Sequence, residues 1–216
     1  CDVDEPLADM ADSLWYRYGH KLELSADLPA LVDLVGSQYV DMRVMASIAV
    51  AKLLIGQERT AERNQAIAKL FKMYLDNLPK KEEVNTNRVV RRQRQAKAAL
   101  ADNNFSTREG VALALSQLAK NGALAGKDIV LVFTFLAARG LGDVHDEVRG
   151  KMATTAVAVV DAAGPKAPET LLPMIESQLQ RVPDKEEKEE VLVHFDRTHE
   201  NLVVCLGTVA SYLPEE

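Results

Sequence analysis

Three stretches of the chain share one pattern, in which an arginine opens a run of small and aliphatic residues. Arg43 is followed by VMASIAVAKLL, Arg108 by EGVALALSQLA and Arg149 by GKMATTAVAVV. Recurrence of a helical pattern is typical of an α-solenoid, in which two-helix units stack and bury their apolar faces on their neighbours. Such an architecture presents extended surface rather than a reaction pocket. The pattern therefore favours binding or scaffolding over catalysis.

The length and composition of the chain agree with this architecture. Its 216 residues are enough for about five helical repeats of roughly 40 residues each. Aromatic residues make up only 5% of the chain, which suits closely stacked helices. The net charge of −6 gives no general case for nucleic-acid binding. We therefore predict an all-α fold without a sheet, a solenoid of antiparallel helix pairs that runs continuously over residues 1–216.

Apolar periodicity, glycine and proline delimit the predicted helices. For the helix over 39–55, the expected inward stripe is Val40, Val44, Ile48, Ala51 and Ile55. The run over 128–138 is continuously apolar and rich in β-branched residues, so a buried strand is an alternative. We expect a helix there, because a repeat needs its first helix at that point. The other helices are predicted over 6–18, 28–35, 61–78, 106–118, 146–163, 169–179 and 198–213.

Ser106 followed by Glu109 predicts a capping box at the start of the helix over 106–118.

Both ends of the sequence suggest a longer protein. The last helix, over 198–213, is apolar with nothing after it to stack upon, and the chain opens at Cys1 rather than at a methionine. We therefore expect an internal fragment of a longer protein.

The most specific local signal is an acid in a turn that precedes a Val-Arg helix start. Asp143 lies in such a turn and Val148 with Arg149 opens the next helix. The arrangement lets side chains of successive repeats form a hydrogen-bonded ladder, in which Arg149 would reach the turn acids of a neighbour. With Pro173 placed like the first-helix proline of the next unit, the pattern resembles HEAT repeats of the armadillo-like class; an unrelated helical bundle is the alternative. The predicted structural residues of the repeats are Arg43, Arg108, Asp143, Val148, Arg149 and Pro173.

A charged segment over 80–104 separates the first two repeat arginines by 65 residues, against 41 between the second and third. We interpret it as an insertion or a long inter-repeat connection. Arginine suits phosphate through its planar fork of donors, so its basic cluster is a candidate phosphate contact, while a solvated helix face or loop is the alternative. The cluster holds no aromatic residue for base stacking. It comprises Arg88, Arg91, Arg92, Arg94 and Lys97.

Signatures of catalysis, metal binding and membrane insertion do not occur in the sequence. There is no P-loop, G-x-G-x-x-G or G-x-S-x-G motif. His194 and His199 are five positions apart, whereas zinc helices place histidines four apart. Cys1 and Cys205 make neither a ligand set nor a disulfide framework, which favours a reduced, intracellular setting. We therefore expect no enzyme, cofactor, metal, membrane span or small-molecule substrate.

Four stretches carry a family resemblance in collinear order: DSLWYRYGHKLE, TREGVALALSQLA, LGDVHDEVRGKM and GPKAPETLLPMIESQL. Together they resemble the giant HEAT-repeat translational activators of general amino-acid control. That family binds ribosomes and activates the kinase that phosphorylates the α subunit of initiation factor 2. The resemblance implies a non-catalytic, cytoplasmic scaffold segment of a ribosome-associated regulator that acts in amino-acid starvation or ribosome stalling. It places the kinase contact elsewhere in the full-length protein, and it implies the ribosome and other regulatory proteins as partners.

Two other functions remain open at this point. A generic HEAT-repeat adaptor, of the nuclear-transport-receptor or phosphatase-scaffold type, would share the repeat pattern. An enzyme with an unrecognised site would need a convergent pocket of titratable residues. The basic segment has no matching motif in the family, so the resemblance implies no role for it.

Overall fold

The computed structural model describes residues 24–79, 104–183 and 189–213. Every regular element within these ranges is helical, which confirms the prediction of an all-α fold. The predicted helix over 6–18 and the basic cluster lie outside the described residues. The helices are α1 (Leu24–Leu34), α2 (Val40–Leu53), α3 (Thr60–Asp76), α4 (Phe105–Lys120), α5 (Lys127–Phe135), α6 (Asp146–Ala163), α7 (Ala167–Thr170), α8 (Leu172–Leu179) and α9 (Glu189–Ala210).

Helices that follow one another in the described chain pack as pairs. The first pair is α1 with α2, the second α3 with α4, the third α5 with α6 and the fourth α8 with α9. Among the second helices, α2 packs on α4, α4 on α6 and α6 on α9, so these four form one layer. In the other layer α1 contacts α3 and α3 contacts α5. Each pair thus buries its apolar face on its neighbours, which makes the fold an α-solenoid.

Helix α4 has more buried residues than any other described helix. Along α4, Val111, Ala114 and Leu118 have no exposed surface, because this helix lies between α2 and α6 and also packs on α3. Gly110 lets α4 approach the end of α1, since a Cβ there would overlap the carbonyl oxygen of Val35. Small residues therefore decide how closely neighbouring pairs stack.

The inward stripe predicted for α2 is wrong except at Ala51, which is fully buried. Val40 and Ile55 are 57% and 45% exposed, whereas Arg43 and Ser47 are buried. The prediction assumed that the larger aliphatic residues face inward. Close packing against α4 instead buries small side chains, together with Arg43, whose acidic partner Glu109 lies on α4. The buried residues of this helix and of its C-terminal end are Arg43, Ala46, Ser47, Val50, Ala51, Leu53 and Leu54.

The capping box predicted at Ser106 and Glu109 is also wrong. Helix α4 begins at Phe105 with Asn104 at its N-cap position, and no side chain caps it. Glu109 is drawn away from the helix end, because its carboxylate binds Arg43 of the preceding pair. A tertiary ion pair has replaced the local hydrogen bond that the spacing predicted.

The apolar run over 128–138 is helical, so the strand alternative is excluded. Helix α5 continues into a π-helical turn over Leu136–Gly140, where the Leu141 amide donates to the Leu136 carbonyl at 2.9 Å. Phe135 stacks on Phe71 with ring centroids 4.0 Å apart and meets Tyr74 edge-on at 5.2 Å. Packing against α3 therefore overrides the β-propensity of the run.

The remaining boundaries differ from prediction in detail. The helix expected over 169–179 is divided into α7 and α8, with Pro173 in the first turn of α8, where its missing N–H is tolerated. Helix α9 begins at Glu189, nine positions before the predicted start at Thr198, because acidic residues are favourable in a first turn. Helices α3 and α4, which flank the 80–103 interval in sequence, pack directly on each other.

Candidate functional site

Arg43 joins the first helix pair to the second. Its Nη2 donates to Oε2 of Glu109 at 2.6 Å, and the two side chains are 3% and 12% exposed. Its Nη1 donates to the carbonyl oxygens of Ser37 at 2.9 Å and Gln38 at 3.0 Å. One guanidinium therefore satisfies the turn of its own pair and binds an acid of the next.

Arg63 repeats this arrangement in the other layer. Its Nε donates to Oδ2 of Asp128 at 2.6 Å, with side chains 6% and 8% exposed, and its Nη1 donates to the Gly56 carbonyl at 3.0 Å. Asp128 lies in the first turn of α5, where the helix dipole also favours a carboxylate. This ion pair links the second helix pair to the third.

Arg108 and Asp143 form the most deeply buried connection between the second and third pairs. Nε and Nη2 of Arg108 donate to Oδ2 and Oδ1 of Asp143 at 2.9 and 3.0 Å, and neither side chain is exposed. Nη1 donates to the Asn77 carbonyl at 2.9 Å. This two-point geometry is the strongest that an arginine and a carboxylate can form.

The Asp143 carboxylate accepts further hydrogen bonds. The Tyr74 hydroxyl donates to Oδ2 at 2.6 Å, and the His145 amide donates to Oδ1 at 2.8 Å. Burial, reinforced by the charge of Asp143, raises the pKa of Tyr74 well above its ordinary value. A buried ion pair is stable only when its remaining lone pairs are satisfied, and these donors meet that requirement.

The three residues Leu141, Gly142 and Asp143, here called the 141–143 turn, are all buried. Buried carbonyls need hydrogen-bond partners, and side chains supply one to each. Nδ2 of Asn201 donates to the Leu141 oxygen at 2.9 Å. Nη1 of Arg149 donates to the Asp143 oxygen at 2.8 Å.

His194 supplies the third partner of the 141–143 turn. Its Nδ1 lies 3.0 Å from the Gly142 oxygen, so Nδ1 must carry the proton, because a carbonyl only accepts. A Cβ on Gly142 would overlap the His194 ring. Glycine is therefore needed for the close approach of α9 to this turn.

The structure brings Arg43, Arg108 and Asp143 into the ladder, but it places Arg149 differently from the prediction. The Arg149 side chain is 20% exposed and binds Oδ1 of Asp146, itself 85% exposed, at 2.7 Å. It thus holds its own turn rather than a neighbour's acid. The hydrogen bond from Arg149 lowers the pKa of Asp146.

The other predicted repeat residues have simpler environments. Val148 is buried in the core with no exposed surface. Pro173 is exposed at the start of α8. His194 and His199, which we did not expect to bind metal, contact carbonyl oxygens of Gly142 and Gln178, at 3.0 and 2.8 Å. The basic cluster of 88–97 lies outside the described residues.

Sequence reasoning missed Arg63, Asp128, Tyr74 and the pairing role of Glu109. A signal for Arg63 was present, because it occupies the fourth position of its helix, as Arg43 does in α2. Arg108 and Arg149 take the same fourth position in α4 and α6. The arginine-led pattern therefore extends to both layers of the solenoid.

Surface grooves lie on both layers of the stack. One of about 330 Å³ lies between α8 and the C-terminal end of α5 with its π-helical turn. Another of about 450 Å³ lies between α4 and α6. Across the described ranges, no group of three or more His, Cys, Asp or Glu residues is placed to hold a metal ion. None of the helices described is long and apolar enough to cross a membrane.

Comparisons with known proteins find a matching family model and similar curated proteins. The family model described as "Stalled ribosome sensor GCN1, HEAT repeats" matches residues 1–211. Protein ILITYHIA of Arabidopsis thaliana is 28% identical over 215 residues, which cover 100% of this chain and 7% of that protein. The human Stalled ribosome sensor GCN1 is 25% identical over 215 residues, covering 98% of this chain and 7% of its own length. No solved structure gives a significant match.

The chain thus spans a small part of the curated relatives that it matches. The ladder of buried arginines and the two-layer packing of helix pairs agree with the match to HEAT repeats, which covers nearly every position. The chain belongs to the family of GCN1-type HEAT-repeat proteins.

Proposed function

We propose that this chain is a non-catalytic scaffold segment of a ribosome-associated regulator. In this proposal the whole protein responds to stalled ribosomes or amino-acid starvation and promotes activation of the kinase that phosphorylates the α subunit of initiation factor 2. The observation that carries the proposal is the match of residues 1–211 to the HEAT repeats of a stalled ribosome sensor. Because the chain covers 7% of its relatives, the kinase is taken to bind other parts of the full-length protein.

The use of the buried polar groups supports a scaffold rather than an enzyme. Arg43, Arg63 and Arg108 each bind an acid of the next helix pair. An enzyme would instead direct such groups into a cleft, where they could act on a substrate. Here they fix the geometry between repeats, and what remains for partners is the extended helical surface.

We extend the proposal to the organisation of the chain. Residues 1–216 form one continuous run of about five HEAT-like repeats, with residues 80–104 as a charged insertion between α3 and α4. The protein acts in the cytoplasm. Phosphates of ribosomal RNA are the proposed contacts of the insertion, through Arg88, Arg91, Arg92, Arg94 and Lys97.

The test removes this segment from the full-length protein and measures two outputs in starved cells. We expect less of the protein to co-sediment with ribosomes and less phosphorylation of the α subunit of initiation factor 2. A deletion of equal length in another run of repeats serves as the control for general damage to the stack. Unchanged sedimentation and unchanged phosphorylation after the deletion would contradict the proposal. Capture of transport cargo or of a phosphatase subunit instead would favour a generic adaptor.

A further inference from the structure

The 141–143 turn is hydrogen-bonded to three successive helix pairs. It belongs to the third pair, where Arg149 of α6 binds the Asp143 carbonyl. The second pair reaches it through the Asp143 carboxylate, which Arg108 and Tyr74 bind. The fourth pair reaches it through His194 and Asn201 of α9, which bind the carbonyls of Gly142 and Leu141 respectively. Three residues therefore connect helices that lie on opposite sides of the third pair.

The turn has little freedom to move at one end alone. All three of its residues are buried, so a carbonyl that lost its donor would remain unsatisfied rather than bind water. Gly142 is in close contact with the His194 ring, and Gly140 lies against Met152 of α6 so closely that a Cβ would touch its sulfur. A shift of the Asp143 carboxylate would therefore displace the two adjacent carbonyls that hold α9.

We propose that the 141–143 turn couples the second and fourth helix pairs, so that loosening its bonds on one side lowers the local stability of the other. The coupling is energetic and reciprocal. It allows a partner bound on α3 or α4 to alter how readily α9 opens, and the reverse. This proposal goes beyond the proposed function and does not depend on it.

Hydrogen-exchange mass spectrometry on the intact protein tests the coupling. Tyr74→Phe removes the donor to Asp143 and leaves the ring in place. We expect exchange in α9 to rise roughly 2- to 12-fold, the change that corresponds to one typical hydrogen bond. Asn121→Ala is the control. It removes a hydrogen bond to the Gln117 carbonyl at the end of α4 that does not involve the turn, so α9 should keep its protection.

The reciprocal arm starts from the other side of the turn. Asn201→Ala removes the donor to Leu141 and should raise exchange in α3 and α4. Tyr212→Phe is its control, because the Tyr212 hydroxyl bonds Asp161 and not the turn. Exchange in α1 and α2 is the internal reference in both arms.

Three results would overturn the proposal. In the first, Tyr74→Phe raises exchange in α3, α4 and α5 but leaves α9 as protected as in the parent. In the second, each variant and its control change the distant helix equally. If Tyr74→Phe raises exchange uniformly, α1 and α2 included, the protein unfolds globally and the Asn201→Ala arm decides. A uniform rise there as well would also overturn the proposal.

Discussion

Arg108 binds Asp143 through two hydrogen bonds of 2.9 and 3.0 Å across 35 positions of sequence, and neither side chain is exposed. Removing one partner of such a pair leaves an uncompensated buried charge. We expect Arg108→Met to lower the free energy of unfolding by about 3–5 kcal/mol, measured by urea denaturation. The double variant Arg108→Met with Asp143→Asn should recover much of the loss, because both charges are then absent while the amide oxygen still accepts a hydrogen bond from Tyr74 or from the His145 amide. A loss below about 1 kcal/mol for the single variant would contradict the assignment.

Arg149→Ala should cost less than the change at Arg108. Its ion pair with the exposed Asp146 contributes between zero and about 1 kcal/mol, and its bond to the Asp143 carbonyl adds about 1 kcal/mol. Urea denaturation of both arginine variants in one buffer gives the comparison. Equal losses in the free energy of unfolding would mean that the exposure of an arginine side chain does not determine how much it contributes to stability.

Two glycines in adjacent second helices should respond to alanine with opposite signs. At Gly110 a Cβ would overlap the Val35 carbonyl, whereas at Gly150 nothing lies within 4 Å. We expect Gly110→Ala to destabilise the fold by about 1–3 kcal/mol through overpacking. Gly150→Ala should stabilise it by up to about 1 kcal/mol, because alanine is the better helix former. Thermal unfolding measures both, and a stabilised Gly110→Ala would show that α1 and α4 are further apart than described.

The buried thiol of Cys205 should make the fold less stable at alkaline pH. Burial raises the pKa of this thiol to about 12, whereas the pKa of an unfolded cysteine is ~8.5. Above that pH the unfolded chain loses the proton first, so stability falls by about 1.4 kcal/mol for each further pH unit. The contribution of this thiol to stability is therefore fully present below a pH of ~8.5 and is lost as the pH rises above it.

The control for this pH effect is Cys205→Ala, which has no thiol to ionise. Urea denaturation under reducing conditions between pH 8 and 10 should show a steeper decline for the parent than for the variant. Parallel pH profiles would indicate that the thiol is accessible to solvent in the folded state.

The basic cluster should contribute a salt-dependent contact if it meets ribosomal RNA. Binding through phosphates weakens steeply with salt, by a slope near one unit for each phosphate neutralised. We expect the quadruple alanine variant to co-sediment less with ribosomes and to show a shallower salt slope. The residues changed are Arg88, Arg91, Arg92 and Arg94.

A second quadruple variant is the control for this loss of charge. It removes four exposed lysines of the described helices and their connections: Lys72, Lys120, Lys127 and Lys166. Equal co-sedimentation of the two variants and the parent across a salt series would mean that the cluster is ordinary solvated surface.

The sequence predicted the helices and the arginine-led starts well, because both depend on local periodicity. It did not predict which acid each arginine binds. Arg149 binds Asp146 of its own turn instead of a neighbour's acid, and Glu109 pairs with Arg43 instead of capping its own helix. These choices depend on how far apart two helix pairs stand, a distance that no local spacing encodes. The inward stripe of α2 failed for the same reason, since proximity to α4 decided which side chains are buried.

The three buried ion pairs within the described ranges all run in one direction, from an arginine to an acid of the following helix pair. The acids lie at different places: Glu109 within α4, Asp128 at the start of α5 and Asp143 in the turn before α6. Repeat proteins can gain or lose units by recombination, provided that any unit can follow any other. Here, excision of the third pair alone would strand Arg63 and Arg108 without their carboxylates. The buried charges therefore determine the order of these repeats. A unit could be exchanged only together with the neighbour that holds its matching charge.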